Sequence, residues 1–334
     1  VHEMIGAIKN IQDLEIVAIC SRPQSRQKAE EIADKFNIAK IYTNIALAQR
    51  DEFKVEAALK SYNACINILE SNYLDCQTKY SDQLVMAYFN LGVAQEYFGF
   101  TSEAIATYSL AIDSSKNMQI KAGVELTQES KETLASIYFN IAEIRYNSFD
   151  LEAAISGYQL TLKLNEDHQK NGQSQFKNKL AYIYFNLGNA QGSLGYTDES
   201  IASYLSAIDL WMECFSPAID DSNKINSNIA NAFSNLAIIQ KKSGDLKSAI
   251  IAYQKAIVFF ERMTEYPDFS WLDECATCLA NIYSNLGYLQ TQQELVNEAI
   301  SSYESSICLR EKIIAELHKQ SFGRCSSYVL VHDL

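Results

Sequence analysis

The chain has 334 residues, a length that suits two compact domains or one elongated array of repeats. Hydrophobic residues make up 48% of the chain and only 3 residues are proline, which argues against a disordered chain and against a turn-rich all-β fold. Lys and Arg total 28 against 41 for Asp and Glu, so the net charge of −13 disfavours binding to nucleic acid or to an anionic membrane. No apolar run approaches the roughly 20 residues that a membrane span needs.

The first forty residues differ in pattern from the rest of the chain. Residues 14–20, LEIVAIC, form a continuous apolar and β-branched run that predicts a strand. Residues 23–36 predict a helix, and we expect Asn37 and Ile38 to end it. The apolar face of that helix would carry Ala29, Ile32, Ala33 and Phe36.

The stretch from Gly6 to Asn44 resembles the N-terminal dinucleotide-binding domain of the Gfo/Idh/MocA oxidoreductases, in which a short strand similar to KIYTN follows a helix, a strand and a second helix. The resemblance implies that Ser21 and Arg22 lie where the ribose is bound, and an arginine there suits the 2′-phosphate of NADP. The glycine-rich turn that cradles the pyrophosphate does not occur in these residues. We therefore interpret residues 1–38 as a truncated Rossmann-like remnant that binds no cofactor.

From about residue 39 to residue 318, one pattern occurs six times, and we anchor each copy on an asparagine. The anchors are 46 to 50 residues apart. An aromatic residue precedes each anchor by two positions, a Gly or Ala follows it by two, a small residue by fourteen and a tyrosine by eighteen. Because these positions agree in all copies, the chain must be built from repeated units. The anchors are Asn44, Asn90, Asn140, Asn186, Asn235 and Asn285.

Each unit has the pattern of two helices joined by a short turn. Apolar and small residues recur at helical spacing around each anchor, and a break such as Gly99-Phe100-Thr101 follows. Glycine supplies the left-handed residue that ends the first helix, and we expect Thr, Ser or Asp to cap the second. The small residues allow the two helices to approach closely. Such a hairpin leaves an apolar flank on both sides, so the units are predicted to stack as a solenoid.

This pattern resembles the tetratricopeptide repeat (TPR), whose usual length is about 34 residues. We expect the additional residues here to lengthen the helices and the connections between units. Pro217 and Pro267 lie in two of these connections. The resemblance implies an all-α fold, a right-handed TPR superhelix of six hairpins over residues 39–318. The short αβα-like remnant would precede it, and residues 319–334 would form a C-terminal tail.

The resemblance places the anchor asparagines on the first helix of each unit, and the first helices line the concave face of a TPR solenoid. An asparagine amide donates and accepts hydrogen bonds, so it can bind the backbone of an extended peptide whatever the peptide's sequence. The alternative is that each anchor bonds a neighbouring helix and only shapes the superhelix. The predicted peptide-binding residues include Asn90, Asn140, Asn186 and Asn235.

A phenylalanine precedes three successive anchors, at Phe89, Phe139 and Phe185. We expect these rings to be partly exposed in the same groove and to give it an apolar centre. The alternative is that they pack against adjacent first helices. The carboxylate clamp of some TPR domains is not predicted, because it needs a lysine at these positions.

No pattern in the sequence indicates catalysis, a metal or a cofactor. The 8 cysteines are scattered, as expected for reduced thiols in a cytoplasmic protein. Cys275 and Cys278 form one C-x-x-C pair without a second pair or a nearby histidine, which is weak evidence for zinc. We expect a cytoplasmic protein that is not an enzyme.

The leading hypothesis is a scaffold that binds a protein or peptide segment in its concave groove and contacts neither nucleic acid nor membrane. The alternative is a fragment of an NAD(P)-dependent Gfo/Idh/MocA-type oxidoreductase fused to TPR repeats. A strand with a G-x-G-x-x-G turn upstream of residue 1 would favour that alternative. Self-association through the solenoid ends is a further expectation, because the ends of a repeat array present uncovered apolar flanks.

Overall fold

A computed structural model describes residues 23–73, 81–122, 127–165, 174–214, 222–264 and 274–329. These residues form twelve α-helices, and no strand occurs among them. The helices follow one another as six pairs, one pair for each predicted repeat. They are α1 (Pro23–Asp51), α2 (Val55–Tyr73), α3 (Ser81–Tyr97), α4 (Thr101–Ala122), α5 (Gln128–Asn147), α6 (Leu151–Leu164), α7 (Ser174–Leu194), α8 (Thr197–Cys214), α9 (Ser222–Lys242), α10 (Leu246–Thr264), α11 (Glu274–Gln292) and α12 (Val296–Val329).

The chain divides into two compact units, Val1–Ile144 and Arg145–Leu334. In the first unit, α1 packs against α2 and α3 against α4, while α2 also packs against α3. In the second unit, α7 pairs with α8, α9 with α10 and α11 with α12. There α6 packs on α7, α8 on α9 and α10 on α11. Within each unit the second helix of one repeat thus packs on the first helix of the next, which is the predicted all-α solenoid arrangement.

The small residues fourteen positions after each anchor form the contact between paired helices, as predicted. All six are buried, and so are five of the six tyrosines that lie four positions further along, Tyr303 being the exception. The second unit has a continuous apolar core in which a fully buried isoleucine or phenylalanine contributes about 1.5–3 kcal/mol. The six small residues are Ala58, Ala104, Ala154, Ser200, Ala249 and Ala299.

The turns within the helix pairs contain the predicted left-handed residue. Gly99, Gly195 and Gly244 have φ angles of 83°, 83° and 85°, and non-glycine residues take the same conformation in the other three turns. Asp245 caps α10 as expected, since its Oδ1 accepts a hydrogen bond from the Ser248 backbone N–H at 3.1 Å. The predicted capping role of threonine is wrong at α4 and α8, because those helices begin at the threonine itself.

The N-terminal helix differs from the prediction. Helix α1 runs without a break from Pro23 to Asp51, so Asn37 and Ile38 do not end it and residues 40–44 do not form a strand. Ala39 and Ala46 are buried at helical spacing in this segment, and packing against α2 outweighs the low helix propensity of its β-branched residues. The predicted helix at residues 23–36 is therefore confirmed, and the αβα-like pattern is wrong over residues 37–44. The predicted strand at residues 14–20 lies outside the described residues.

In five of the six pairs the two helices together exceed the roughly 34 residues of a usual repeat, as expected, and α12 extends furthest. Helix α6 is short, with 14 residues. It continues to Val329, so most of the predicted tail at residues 319–334 is helical. Pro217 and Pro267 lie outside the described residues.

Candidate functional site

The anchor asparagines all lie on the first helix of their pair, and several of them bond the preceding repeat. In the first unit, Asn140 Nδ2 donates to Tyr108 Oη at 2.9 Å. In the second unit, Asn235 Nδ2 donates to Asn189 Oδ1 at 3.0 Å, and Tyr204 Oη donates to the same oxygen at 2.6 Å. These anchors therefore connect successive helix pairs through bonds to a neighbouring helix.

The tyrosines in these contacts remain protonated at neutral pH. Burial raises the pKa of Tyr253 to about 12, and a hydrogen bond with Asn285 opposes the shift. Burial also raises the pKa of Tyr108 far above its ordinary value. Tyr108 Oη donates to Glu96 Oε2 at 3.1 Å, and burial raises the pKa of that carboxyl group. The hydroxyls act as structural donors and acceptors between repeats and not as bases.

The three predicted phenylalanines are half-buried. The Phe89 ring centroid lies 6.3 Å from that of Tyr108. The Phe185 centroid lies 5.9 Å from that of Tyr204 and 5.8 Å from that of Trp211. These two rings pack against the second helix of their own pair, a contact that neither expectation included.

A cavity of about 300 Å³ lies between α1, α2 and α3 of the first unit, and Glu129 of α5 also lines it. Two anchors, Asn44 and Asn90, line it together. Asn44 is exposed and Asn90 is half-buried. About half of the lining residues are polar or charged, and the others are apolar. The lining residues are Phe36, Ala39, Lys40, Thr43, Asn44, Cys65, Leu69, Asp82, Gln83, Met86, Ala87, Asn90 and Glu129.

Gln83 gives this cavity a buried hydrogen-bond acceptor. Its Oε1 is shielded from solvent and has no hydrogen-bond partner. A buried polar atom left unsatisfied costs about 1–3 kcal/mol, so a rotation of the Gln83 side chain that brings Oε1 to a ligand N–H would recover that free energy. Gln83 was not predicted from the sequence, because nothing in the repeat pattern distinguishes its position.

Two further polar side chains of the cavity, Asp82 and Thr43, have partners within the protein. Asp82 accepts hydrogen bonds from Ser130 and, at 3.3 Å, from Thr127. The Thr43 hydroxyl lies 3.3 Å from Cys65 Sγ, and burial raises the pKa of that thiol. A thiol that stays protonated is a poor nucleophile.

A second set of polar contacts was not predicted. A glutamine five positions after the anchor accepts a hydrogen bond from a serine on the second helix, as in Ser203 to Gln191 Oε1 at 2.7 Å. The same bond occurs from Ser61 to Gln49 and from Ser302 to Gln290. The recurrence of glutamine five positions after the anchor was the feature of the sequence that could have indicated these bonds. These bonds tie the two helices of a pair together.

Among the described residues, no group of three or more His, Cys, Asp or Glu side chains is placed to hold a metal ion. Cys275 and Cys278 are half-buried. No described helix has the length and apolar character required to cross a membrane.

The comparisons with known proteins agree with this architecture. The tetratricopeptide repeat family model matches residues 39–71, 181–210 and 230–257. BtubC (BKLC) from P. vanneervenii is 17% identical, with a TM-score of 0.53 over 78% of this chain and 92% of that chain. None of the curated proteins matches. At this identity the likeness shows the fold alone, and the described chain has the TPR-type repeat fold.

Two further solved structures are similar at lower TM-scores. MamA is 17% identical, with a TM-score of 0.46 over 70% of this chain and 97% of that chain. YrrB, described as a TPR protein with an unusual peptide-binding site, is 16% identical, with a TM-score of 0.43 over 65% of this chain and 84% of that chain.

Proposed function

We propose that the chain is a protein-interaction module whose first unit binds an extended segment of another protein in the cavity between α1, α2 and α3. The observation that carries this proposal is the combination of Asn44, Asn90 and the unsatisfied Gln83 acceptor in one cavity. TPR-type repeats typically present such surfaces to protein partners. In this role the chain acts as a scaffold and not as an enzyme.

The lining residues define what kind of segment would fit. The amides of Asn44 and Asn90 can donate to peptide carbonyls and accept from peptide N–H groups, and Gln83 Oε1 can accept one more. Met86 and Leu69 offer an adaptable apolar wall for one side chain. Asp82, Glu129 and Lys40 leave a net negative charge around the cavity, so a basic residue beside the apolar anchor should strengthen binding.

The proposed binding site contains fewer of the anchor residues than the sequence predicts. Asn140 and Asn235 use their amide N–H groups in bonds to neighbouring helices. In our proposal the predicted residues outside the cavity fix the spacing of the helices that form the binding surface. They are Asn140, Asn186, Asn235, Phe89, Phe139 and Phe185.

The test begins with peptides selected from a random library displayed on phage, using the 334-residue chain as bait. Titration calorimetry then compares the wild type with the Asn44→Ala/Asn90→Ala double variant. Each lost amide contact costs about 1–3 kcal/mol, so the double variant should bind at least about tenfold more weakly. Asn63→Ala is the matched control, because Asn63 is an exposed asparagine on α2 that does not line the cavity.

Two results would contradict the proposal. One is unchanged affinity of the double variant with its helical circular dichroism intact, which would place the peptide elsewhere on the chain. The other is an equal loss of affinity in Asn63→Ala. The oxidoreductase alternative gains no support from the described residues, since α1 occupies the segment that the resemblance assigned to a strand. Saturable binding of NADPH to the chain would revive it.

A further inference from the structure

The last helix exposes a face whose counterparts are covered in the other repeats. Tyr303 is 37% exposed, whereas the five equivalent tyrosines are at most 2% exposed. Ile307 is 56% exposed, whereas its isoleucine counterparts, Ile66, Ile112, Ile208 and Ile257, are 4–9% exposed. In those repeats, this face of the second helix packs on the first helix of the following repeat. We call the exposed residues Ile300, Tyr303 and Ile307 the α12 face.

The first helix exposes the complementary face. Ile38, Ile41 and Ile45 are 41–56% exposed. In the other five repeats, the residue at the position of Ile41 is 0–5% exposed and the residue at the position of Ile38 is 0–6% exposed. The anchor Asn44 is exposed in the same helix, whereas the other five anchors are half-buried. We call Ile38, Ile41, Asn44 and Ile45 the α1 face.

These two faces are the two halves of a contact that the chain already forms between its repeats. Helix α2 packs on α3, α8 on α9 and α10 on α11. In these contacts the tyrosine of one repeat lies beside the anchor asparagine of the next, as the bond between Tyr253 and Asn285 shows. The α12 face supplies the tyrosine half of this contact and the α1 face supplies the asparagine half.

We propose that copies of this chain associate head to tail, with the α1 face of one copy packed on the α12 face of another. The contact would bury the five isoleucines of the two faces and bring Asn44 within hydrogen-bonding distance of Tyr303 Oη. Matching apolar faces that also satisfy each other's polar groups are the usual basis of a specific interface. Because the two surfaces differ, the contact is heterologous, and each copy keeps one uncovered face for a further copy.

Sedimentation velocity of the full chain over a wide concentration range tests this proposal. Ile41→Lys disables the α1 face and Ile307→Lys disables the α12 face, and both side chains are 56% exposed, so the fold should tolerate either change. The wild type should show a mass that rises with concentration, and each variant alone should remain a monomer. Ile251→Lys is the control, because Ile251 is 53% exposed and belongs to neither face.

Mixing the two variants gives the most specific result. The Ile41→Lys copy keeps an intact α12 face and the Ile307→Lys copy keeps an intact α1 face, so the mixture should form a one-to-one complex that grows no further. A wild type that stays monomeric would overturn the proposal. So would self-association of Ile41→Lys as strong as that of the wild type, which would indicate a symmetric contact of α12 with α12. Loss of association in Ile251→Lys would also count against the proposed faces.

Discussion

Replacing Gly92 with alanine should destabilise the first unit, although alanine is the better helix former. The added Cβ would lie 2.4 Å from Cε1 and 2.6 Å from Cδ1 of Tyr108. That ring is fully buried, and its hydroxyl bonds both Asn140 and Glu96, so it cannot turn away without losing those bonds. Overpacking of this kind costs about 1–3 kcal/mol. Alanine gains only about 1 kcal/mol over glycine inside a helix, so the steric cost should win.

Two glycines at the same repeat position provide an internal comparison. At Gly188 the added Cβ would lie 3.0 Å from the ring of the buried Tyr204, and at Gly287 it would lie 3.0 Å from that of Tyr303. Tyr303 is partly exposed and its ring can move. We expect Gly92→Ala to destabilise by about 1–2 kcal/mol, Gly188→Ala to have little net effect, and Gly287→Ala to stabilise by up to about 1 kcal/mol.

Equilibrium urea unfolding followed by circular dichroism measures these differences through the midpoint and the slope. A second probe, tyrosine fluorescence, should be recorded in parallel, since repeat arrays can lose two-state behaviour. Equal changes in the three variants would refute the reasoning, because helix propensity would then be the only effect present. A Gly92→Ala variant as stable as the wild type would refute the claim that the Tyr108 ring is fixed.

The remaining predictions concern polar contacts between helices. Ala252 stands where other repeats have a serine, so Gln240 Oε1 is buried without a hydrogen-bond partner. Ala252→Ser should therefore raise the free energy of unfolding in urea by about 0.5–1.5 kcal/mol. A double-mutant cycle of Asn140→Ala and Tyr108→Phe should show a coupling free energy of about 1 kcal/mol. The free energy of unfolding should fall as the pH rises from 10.0 to about 12, because in this range Tyr253 loses its proton in the unfolded chain before it does in the folded chain. Below pH 10.0 the Tyr253 proton should not affect the free energy of unfolding.

Each of these predictions has a control within the chain. Ser203→Ala removes the serine of an intact pair and should destabilise, because it leaves Gln191 without its donor. Additive effects in the Asn140 and Tyr108 cycle would mean that their bond contributes nothing. Tyr253→Phe should make the alkaline loss of stability less steep, and an unchanged pH dependence in that variant would contradict the assigned pKa.

Much of the fold could be predicted, because the repeat pattern records the same contact several times. The pattern predicts that the small residue and the tyrosine of each second helix are buried, and this is confirmed for all of them except Tyr303. The continuity of α1 could not be predicted from local sequence. Ile41, Tyr42 and Thr43 have strand propensity, and only packing against α2 makes this segment helical.

The candidate site was less predictable than the fold. The anchors could be identified, but the partners of their amides depend on which side chains meet across neighbouring repeats. The strict spacing of the tyrosines was the signal that could have indicated the bond between Tyr108 and Asn140. The cavity is lined by four helices, α1, α2, α3 and α5, and no periodic position in the sequence marks Gln83 as its buried acceptor.

The most direct test of the central claim is site-specific photo-cross-linking from the cavity. A photoreactive phenylalanine derivative at Met86, which lines the cavity, should cross-link a selected peptide, and mass spectrometry should find the link near the apolar anchor of that peptide. The same derivative at Ile251, an exposed position on α10, should give no cross-link. Cross-linking from Ile251 but not from Met86, at saturating peptide, would contradict binding in the cavity of the first unit.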